Sequence, residues 1–311
     1  MKVFFATDIH GSEVCWRKFL NAAAFYQADL VVLGGDVTGK VMVPVTAFAG
    51  YWQATVGGET HRMRTRQELD EVKRRIRDRG SYPAIVTPDE LSELSAEEGA
   101  VDRRFTAEMI SSLDRWMDMA DGKLGGIPCI LNGGNDDIWE IDDVIEASPC
   151  VTFGEGKSVE LDGDFHLISM GWTNPTPWDT FREAPEPELA AKIEAVASKV
   201  PDMERTIFNF HAPPYGTGLD EAPALDSTLR PTHGGAVMKP VGSTSVRDAI
   251  LRHQPVLSVH GHIHESRGIR KIGRTMAINP GSLYGDGVLQ GVLLDLDPKK
   301  AKVKKYILVN G

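Results

Sequence analysis

Five apolar runs of strand length in this chain share one ending. Each stops at glycine or at polar residues able to hold a cation: KVFFATDIHG, LVVLGGDVTG, PCILNGGNDD, TIFNFHAPP and PVLSVHGHIH. Continuous β-branched and aromatic runs suit strands buried on both faces. In sheets covered by helices, ligands bind beyond the carboxyl ends of the strands, where glycine lets loops turn sharply. Five such ends predict loops gathered around one site. The last run sharpens the point, because three of the nine histidines, His260, His262 and His264, fall within five positions.

The segment SEVCWRKFLNAAAFYQAD reads as a helix with Val14, Phe19, Ala22, Ala23 and Tyr26 toward the core, which makes the first two runs a βαβ unit. Asp36 and Asn135 are then 99 residues apart, far more than one crossover needs. The excess, residues 40–100, carries its own pattern: a hairpin turning at Gly57-Gly58 and a charged helix RQELDEVKRRIRDRG closed by Gly80. It is read as an inserted small α+β subdomain, placed to cap and wall the site, on a core of residues 1–39 and 101–311. Phe105, Met109, Leu113, Trp116 and Ala120 form the apolar stripe of a further core helix. Short strands at SVEL, FHLISMGW, TMAIN, GVLLDLD and KKYILV, with a helix from about Pro187 to Lys199, complete an α/β (α+β) chain.

Charge and cysteine content narrow the function. With 34 basic and 44 acidic residues the net charge is −10, against a nucleic-acid or anionic-membrane footprint. A small phosphorylated substrate remains compatible, since a bound metal can supply local positive charge. Three widely spaced cysteines suggest neither a disulfide framework nor a metal motif, and no apolar stretch reaches transmembrane length. A cytoplasmic location is expected. Oligomeric state has no sequence signal.

The ligand-type residues at the loop positions are Asp8, His10, Asp36, Asn135, Asp136, His211, His262 and His264. Carboxylate, imidazole and amide oxygen together suit manganese, iron, zinc or cobalt rather than an all-oxygen magnesium cage. One tetrahedral ion does not need so many donors; a pair bridged by a carboxylate does. In this order D-x-H, G-G-D, G-N-D, the lone His of FHAPP and G-H-x-H, followed by NPGS at Asn279 to Ser282, resemble the calcineurin-like metallophosphoesterase superfamily. The resemblance implies a four-layer αββα sandwich with two divalent metal ions. Asp8, His10 and His264 would hold the first, Asn135, His211 and His262 the second, and Asp36 would bridge them. The implied activity is in-line hydrolysis of a phosphate ester, with diesters slightly favoured over monoesters. A protein-interaction scaffold on the same fold is the rival, but such a chain is expected to lose ligands and none is missing here.

One position departs from the pattern. Many members have G-N-H at the third motif, where this chain has Asp136 as its catalytic candidate. Three roles are open to it: an acid whose pKa rises with substrate, an orienting group for water or another residue, or a bystander because metals already stabilise the leaving oxygen. His260 matches no ligand position of the family, and either supports a ligand or is satisfied in the core. Asn174, Trp178 and Arg182 sit on a proline-stiffened loop that could line the pocket, with Arg182 meeting a phosphate. Ser243 to Ser245 read as a helix N-cap. Arg230 and His233 lie on a long loop, exposed by default. No residue is assigned to substrate binding.

Overall fold

The computed structural model describes residues 1–311, with every side chain except that of His233, which lies outside the described residues. In chain order the elements are β1 Lys2–Ala6, α1 Glu13–Phe25, β2 Leu30–Gly34, β3 Val41–Phe48, β4 Tyr51–Val56, β5 Glu59–Met63, α2 Arg66–Asp78, β6 Ser81–Val86, α3 Pro88–Ala96 and α4 Ala100–Leu124. There follow β7 Cys129–Asn132, α5 Glu140–Glu146, β8 Thr152–Phe153, β9 Ser158–Leu161, β10 Phe165–Met170, α6 Glu186–Ala197 and β11 Thr206–Phe210. The chain ends with β12 Glu221–Pro223, β13 Met238–Pro240, α7 Thr244–His253, β14 Leu257–Val259, β15 Gly268–Ile272, β16 Thr275–Asn279, β17 Gln290–Asp297 and β18 Lys302–Asn310.

Two six-stranded sheets carry the core. One runs β18-β17-β1-β2-β7-β8 and the other β15-β16-β14-β11-β10-β9. The period-two alternation of each strand decides the layering. Val3, Phe5, Leu30, Val32 and Ile130 of the first sheet meet Phe165, Leu167, Ile207, Leu257 and Ile278 of the second in a dry layer between them. The alternate residues Phe4, Ala6, Val31, Leu33 and Leu131 turn outward onto α1, α4 and α5. Ile168, Met170, Phe208 and Phe210 turn the other way, onto α6 and α7. The result is the four-layer αββα sandwich. Each central strand is buried on both faces, which is why its sequence reads as an unbroken apolar run.

Residues 41–96 build a separate four-stranded sheet, β5-β4-β3-β6, with a cluster of its own around Val45, Met63, Leu69, Val72 and Ile76. The hairpin turns at Gly57-Gly58, both at positive φ, and α2 begins with a complete capping box between Thr65 and Glu68. The sequence pattern had not indicated β6 or α3. Both are short, and β6 pairs in parallel with β3, a contact no local pattern encodes.

The five strands that end in candidate ligands divide between the sheets: β1, β2 and β7 in one, β11 and β14 in the other. Their parallel pairing, β1 with β2, β2 with β7 and β11 with β14, puts each set of carboxyl ends at one edge. The sandwich brings the two edges together. Behind them Trp16 is fully buried and stacks on Trp116 at 5.1 Å between centroids, joining α1 to α4. Trp16→Ala should lower unfolding free energy by about 3–5 kcal/mol, read from the urea midpoint.

Candidate metal centre

Two groups of donors stand at the meeting edge: Asp8 with His10 and His264, and Asp36 with His211 and His262. Within the first, His264 Nε2 is 3.4 Å from Asp8 Oδ1 and 3.0 Å from His10 Nε2. Within the second, His211 Nε2 is 3.3 Å from Asp36 Oδ2. Asp36 Oδ2 is also 3.5 Å from His10 Nε2, so this carboxylate faces both groups. Donor separations of this size match the edges of a coordination shell with bonds of about 2.0–2.2 Å. Asp36 also meets His10 and Asp136 in a third overlapping group.

Unmet hydrogen bonds identify which donors await a partner. His211 Nδ1 lies 2.9 Å from the Gly34 carbonyl and donates to it, which turns Nε2 toward the cluster and makes it a donor atom once it gives up its proton. That Nε2 is buried and makes no hydrogen bond. Asn135 Nδ2 donates to Thr180 Oγ1 at 2.8 Å, and Thr180 in turn donates to Glu183 Oε1 at 2.5 Å. The amide orientation is thereby fixed, and its Oδ1 is left buried without a partner. An orphaned imidazole nitrogen and an orphaned amide oxygen are both expensive unless a cation takes them. The residues present therefore fit divalent metal.

The electrostatics point the same way. Burial opposes ionisation of Asp8, but the His264 hydrogen bond and nearby imidazoles outweigh it and hold the carboxyl at about 2. Asp36 is likewise held well below the usual range, chiefly by His211 against the cost of burial. His211 loses to burial but gains more from the Asp36 and Asp8 carboxylates, rising to about 10. Burial leads at His10 and His262, lowering them to about 3 and about 4. Without an ion, a proton on His211 balances the carboxylates.

The backbone is bent to achieve this. Asp8, His10, Asp36 and His262 all have positive φ, between 40° and 67°. Left-handed backbone at non-glycine residues is uncommon, and it persists where the surroundings enforce it. Asp137 is a principal enforcer: its carboxylate accepts from Val37 N, Thr38 N, Thr38 Oγ1 and Gly134 N, locking the second motif to the third. Asn279 holds the G-H-x-H turn through the Ile263 carbonyl at 2.9 Å, and Ser282 Oγ donates to the Asp8 carbonyl at 2.6 Å, which explains NPGS. Gly134 and Gly261 have no room for a side chain: a Cβ would overlap Asp36 Oδ1 at one and Asp8 Oδ2 at the other.

The remaining sequence candidates sort cleanly. His260 is a satisfied core histidine, bonded to Ser258 Oγ and, through Nδ1, to the carbonyls of Phe210 and Ala212 that flank His211. Asp136 Oδ2 forms an ion pair with Lys40 Nζ, and its backbone N–H donates to Asp36 Oδ1 at 3.1 Å. Lys40 had not been singled out, because a single lysine after a glycine carries no pattern. Arg182 does not reach toward a phosphate. It is fully buried, donating to the Gly134 and Asp137 carbonyls and to Asp142 Oδ1, so its charge is already engaged. Ser243 does cap α7, accepting from Val246 N, while the Glu186 carboxylate takes the free amides of Thr244 and Ser245 and the Ser245 hydroxyl donates to the Glu186 carbonyl. Thr180 and Asp137 could be recognised only from contacts made across the fold.

A cavity of about 850 Å³ opens on the cluster and is lined by Asp36, Lys40, Asn135, Asp136, His262 and His264 at that end. Of residues 40–100 only Lys40 reaches it; the walls come from residues 174–178 and 215–242. No helix is long and apolar enough to cross a membrane.

No family model matches the chain. Over 149 residues it is 32% identical to the uncharacterized protein MJ1162 of Methanocaldococcus jannaschii, covering 47% of this chain and 61% of that protein. The chain thus spans under two thirds of this relative. Among solved structures, one crystal structure aligns at 18% identity over 99% of this chain and 98% of its own, with a TM-score of 0.58. TT1561 of Thermus thermophilus aligns at 14% identity over 100% and 97%, with a TM-score of 0.51. These likenesses extend over the whole sandwich and establish a recurrent fold. An archaeal phosphodiesterase aligns at 12% identity over 99% and 100%, with a TM-score of 0.37, too remote to bear on this chain's activity.

Two outcomes are expected. Gly134→Ala should displace Asp36 and cut bound metal at least tenfold by elemental analysis, with circular dichroism unchanged. Metal uptake at neutral pH should release at least one proton, since His211 must give up the proton it holds up to about 10, and His264, where the Asp8 carboxylate outweighs burial, adds to the release. Apparent affinity should therefore fall at least about tenfold per pH unit on acidification, measured by titration calorimetry in buffers of differing protonation enthalpy.

Proposed function

We propose that this chain is a metal-dependent phosphoesterase of the calcineurin-like superfamily, acting on small phosphate esters. The reading rests on one observation above the others: Asn135 Oδ1 and His211 Nε2 are buried, oriented and unpartnered beside two groups of carboxylate and imidazole donors. Asp8, His10 and His264 would hold one divalent ion, Asn135, His211 and His262 the second, and Asp36 would bridge them. Two ions held there would lower the pKa of a water and clamp the attacking and leaving oxygens of an in-line displacement. No nucleophilic side chain is required. Residues 1–39 and 101–311 would form the catalytic body, with residues 40–100 a subdomain that delivers Lys40 to it.

The residues of the chain divide the other tasks. Asp8 and Asp36 keep their charge at any working pH, so donor capacity does not vanish in mild acid. Asp136 acts on Lys40 rather than on phosphorus. Burial and the Asp36 charge raise its carboxyl, the ion pair with Lys40 offsets part of that, and the balance stands at about 6. The pair would hold an ammonium at the cavity mouth, where a phosphoryl oxygen or a leaving oxygen gains charge. A diester monoanion suits this mouth better than a monoester dianion, because the Asp36 carboxylate repels surplus negative charge and the Lys40 ammonium is already partly offset by Asp136.

Turnover of aryl phosphodiesters and monoesters, measured with manganese, cobalt, zinc or iron, should require metal, and Asp36→Ala or His262→Ala should abolish it together with metal content. Asp136→Asn should keep both metals and most activity on an aryl diester, whose leaving group needs no acid. Lys40→Ala should keep the metals and lose about 10- to 100-fold in kcat/KM, the value of one charge-assisted contact. Full metal occupancy with no turnover of any ester would replace the hydrolase reading with a scaffold.

A further inference from the structure

We infer that the cavity beyond the metal cluster binds the organic half of the substrate, and that this half is an apolar, ring-bearing alcohol or phenol. The inference builds on the phosphoesterase reading above. One continuous space holds the cluster at one end, while Trp178, Tyr215, Leu225, Leu229, Pro231 and Ile263 line the rest. Its volume, about 850 Å³, lies within the roughly 300–1,000 Å³ of small-molecule sites. Trp178 is 61% exposed, Leu229 44% and Tyr215 37%. Isolated exposed apolar side chains are ordinary, but several on one cavity beside a donor cluster mark a surface meant to be covered.

Hydrogen bonds tie both walls to the fold. On one side the Glu183 carboxylate accepts from the amides and hydroxyls of both Thr176 and Thr180, and Trp178 N donates to Thr176 Oγ1 at 3.2 Å. On the other the Asp220 carboxylate accepts from Gly216 N, Thr217 N, Gly218 N and Gly242 N. Short β12 and β13 pair above it. Preorganised walls lose little entropy when a ligand is ordered against them.

These same bonds take up wall polarity. Thr176 Oγ1 is engaged by Glu183, and Asn174 Nδ2 donates to the Val241 carbonyl at 3.1 Å. The charged groups at the cavity away from the ligand set, Lys40, Lys239, Asp136 and Glu265, are two of each sign. Asn174 Oδ1 stays buried and unpartnered, an acceptor for one polar group of a ligand, while Trp178, Leu225, Leu229, Pro231 and Ile263 offer apolar contact. Apolar contact and ring stacking remain, and the Trp178 loop reaches the cluster directly, because Thr180 orients Asn135.

The test uses two hydrolysis-inert probes, methylphosphonate and naphthylphosphonate, titrated calorimetrically into the manganese-loaded protein. Naphthylphosphonate should bind at least about tenfold more tightly than methylphosphonate, from the apolar area it covers. The paired change Trp178→Ala with Tyr215→Ala, both at exposed positions, should collapse that ratio toward one. Equal affinities in the unaltered protein, no binding of either probe, or a ratio that survives the paired change would each overturn the inference. Aryl-ester turnover measured alongside separates it from the activity it builds on. A preference for naphthylphosphonate without turnover of any ester sinks the hydrolase and leaves the cavity, whereas turnover with equal affinities does the reverse.

Discussion

Two carboxylates that remain charged inside the protein, Asp8 and Asp36, set the terms for everything around them. Each is about 1% exposed. A buried anion is tolerated only where positive charge and hydrogen-bond donors surround it. Here four imidazoles converge on the pair, backbone amides of His262 and Asp136 donate to it, and the remaining need is for cations. The strained backbone, the crowded glycines and the orphaned donors follow from holding these groups in one place.

That placement is held by residues that never reach the cavity. Asp137 ties the second motif loop to the third, Asn279 and Ser282 tie the last motif loop to the first, and His260 supports the carbonyls on either side of His211. Each is buried, so each of its bonds works in a low dielectric where leaving a partner unmet is costly. The αββα sandwich supplies the platform. Because the donor groups come from both sheets, the packing of the layer between Phe5, Val32, Leu167 and Ile207 also fixes the distances between them.

Lys40 and Asp136 show how a further carboxylate beside the cluster is accommodated. An aspartate at this position beside other carboxylates would be a liability by itself. Its neighbour in space is a lysine from the link between β2 and β3, nearly a hundred residues away in sequence. The pair presents positive charge at the cavity mouth while removing the bare carboxylate. The 40–100 segment thus meets the site through Lys40, while loops 174–178 and 215–242 form the walls.

The apolar runs and their glycine endings were enough to place the candidate donors at strand ends, and the family resemblance of D-x-H, G-G-D, G-N-D and G-H-x-H implied the sandwich, because strand burial and sharp turns are local constraints written in residue type. The hairpin at Gly57-Gly58 and the charged helix closed by Gly80 were similarly local. By sequence Arg182 is one candidate for a phosphate contact, because an arginine on a loop looks free; only packing reveals that backbone carbonyls and the Asp142 carboxylate already hold it. Thr180, Asp137 and Lys40 act through partners 45, 99 and 96 residues distant, separations at which sequence carries no pairing signal. Local chemistry chose which groups would be present. The meeting of two sheet edges decided which atoms would face one another and which would be left waiting.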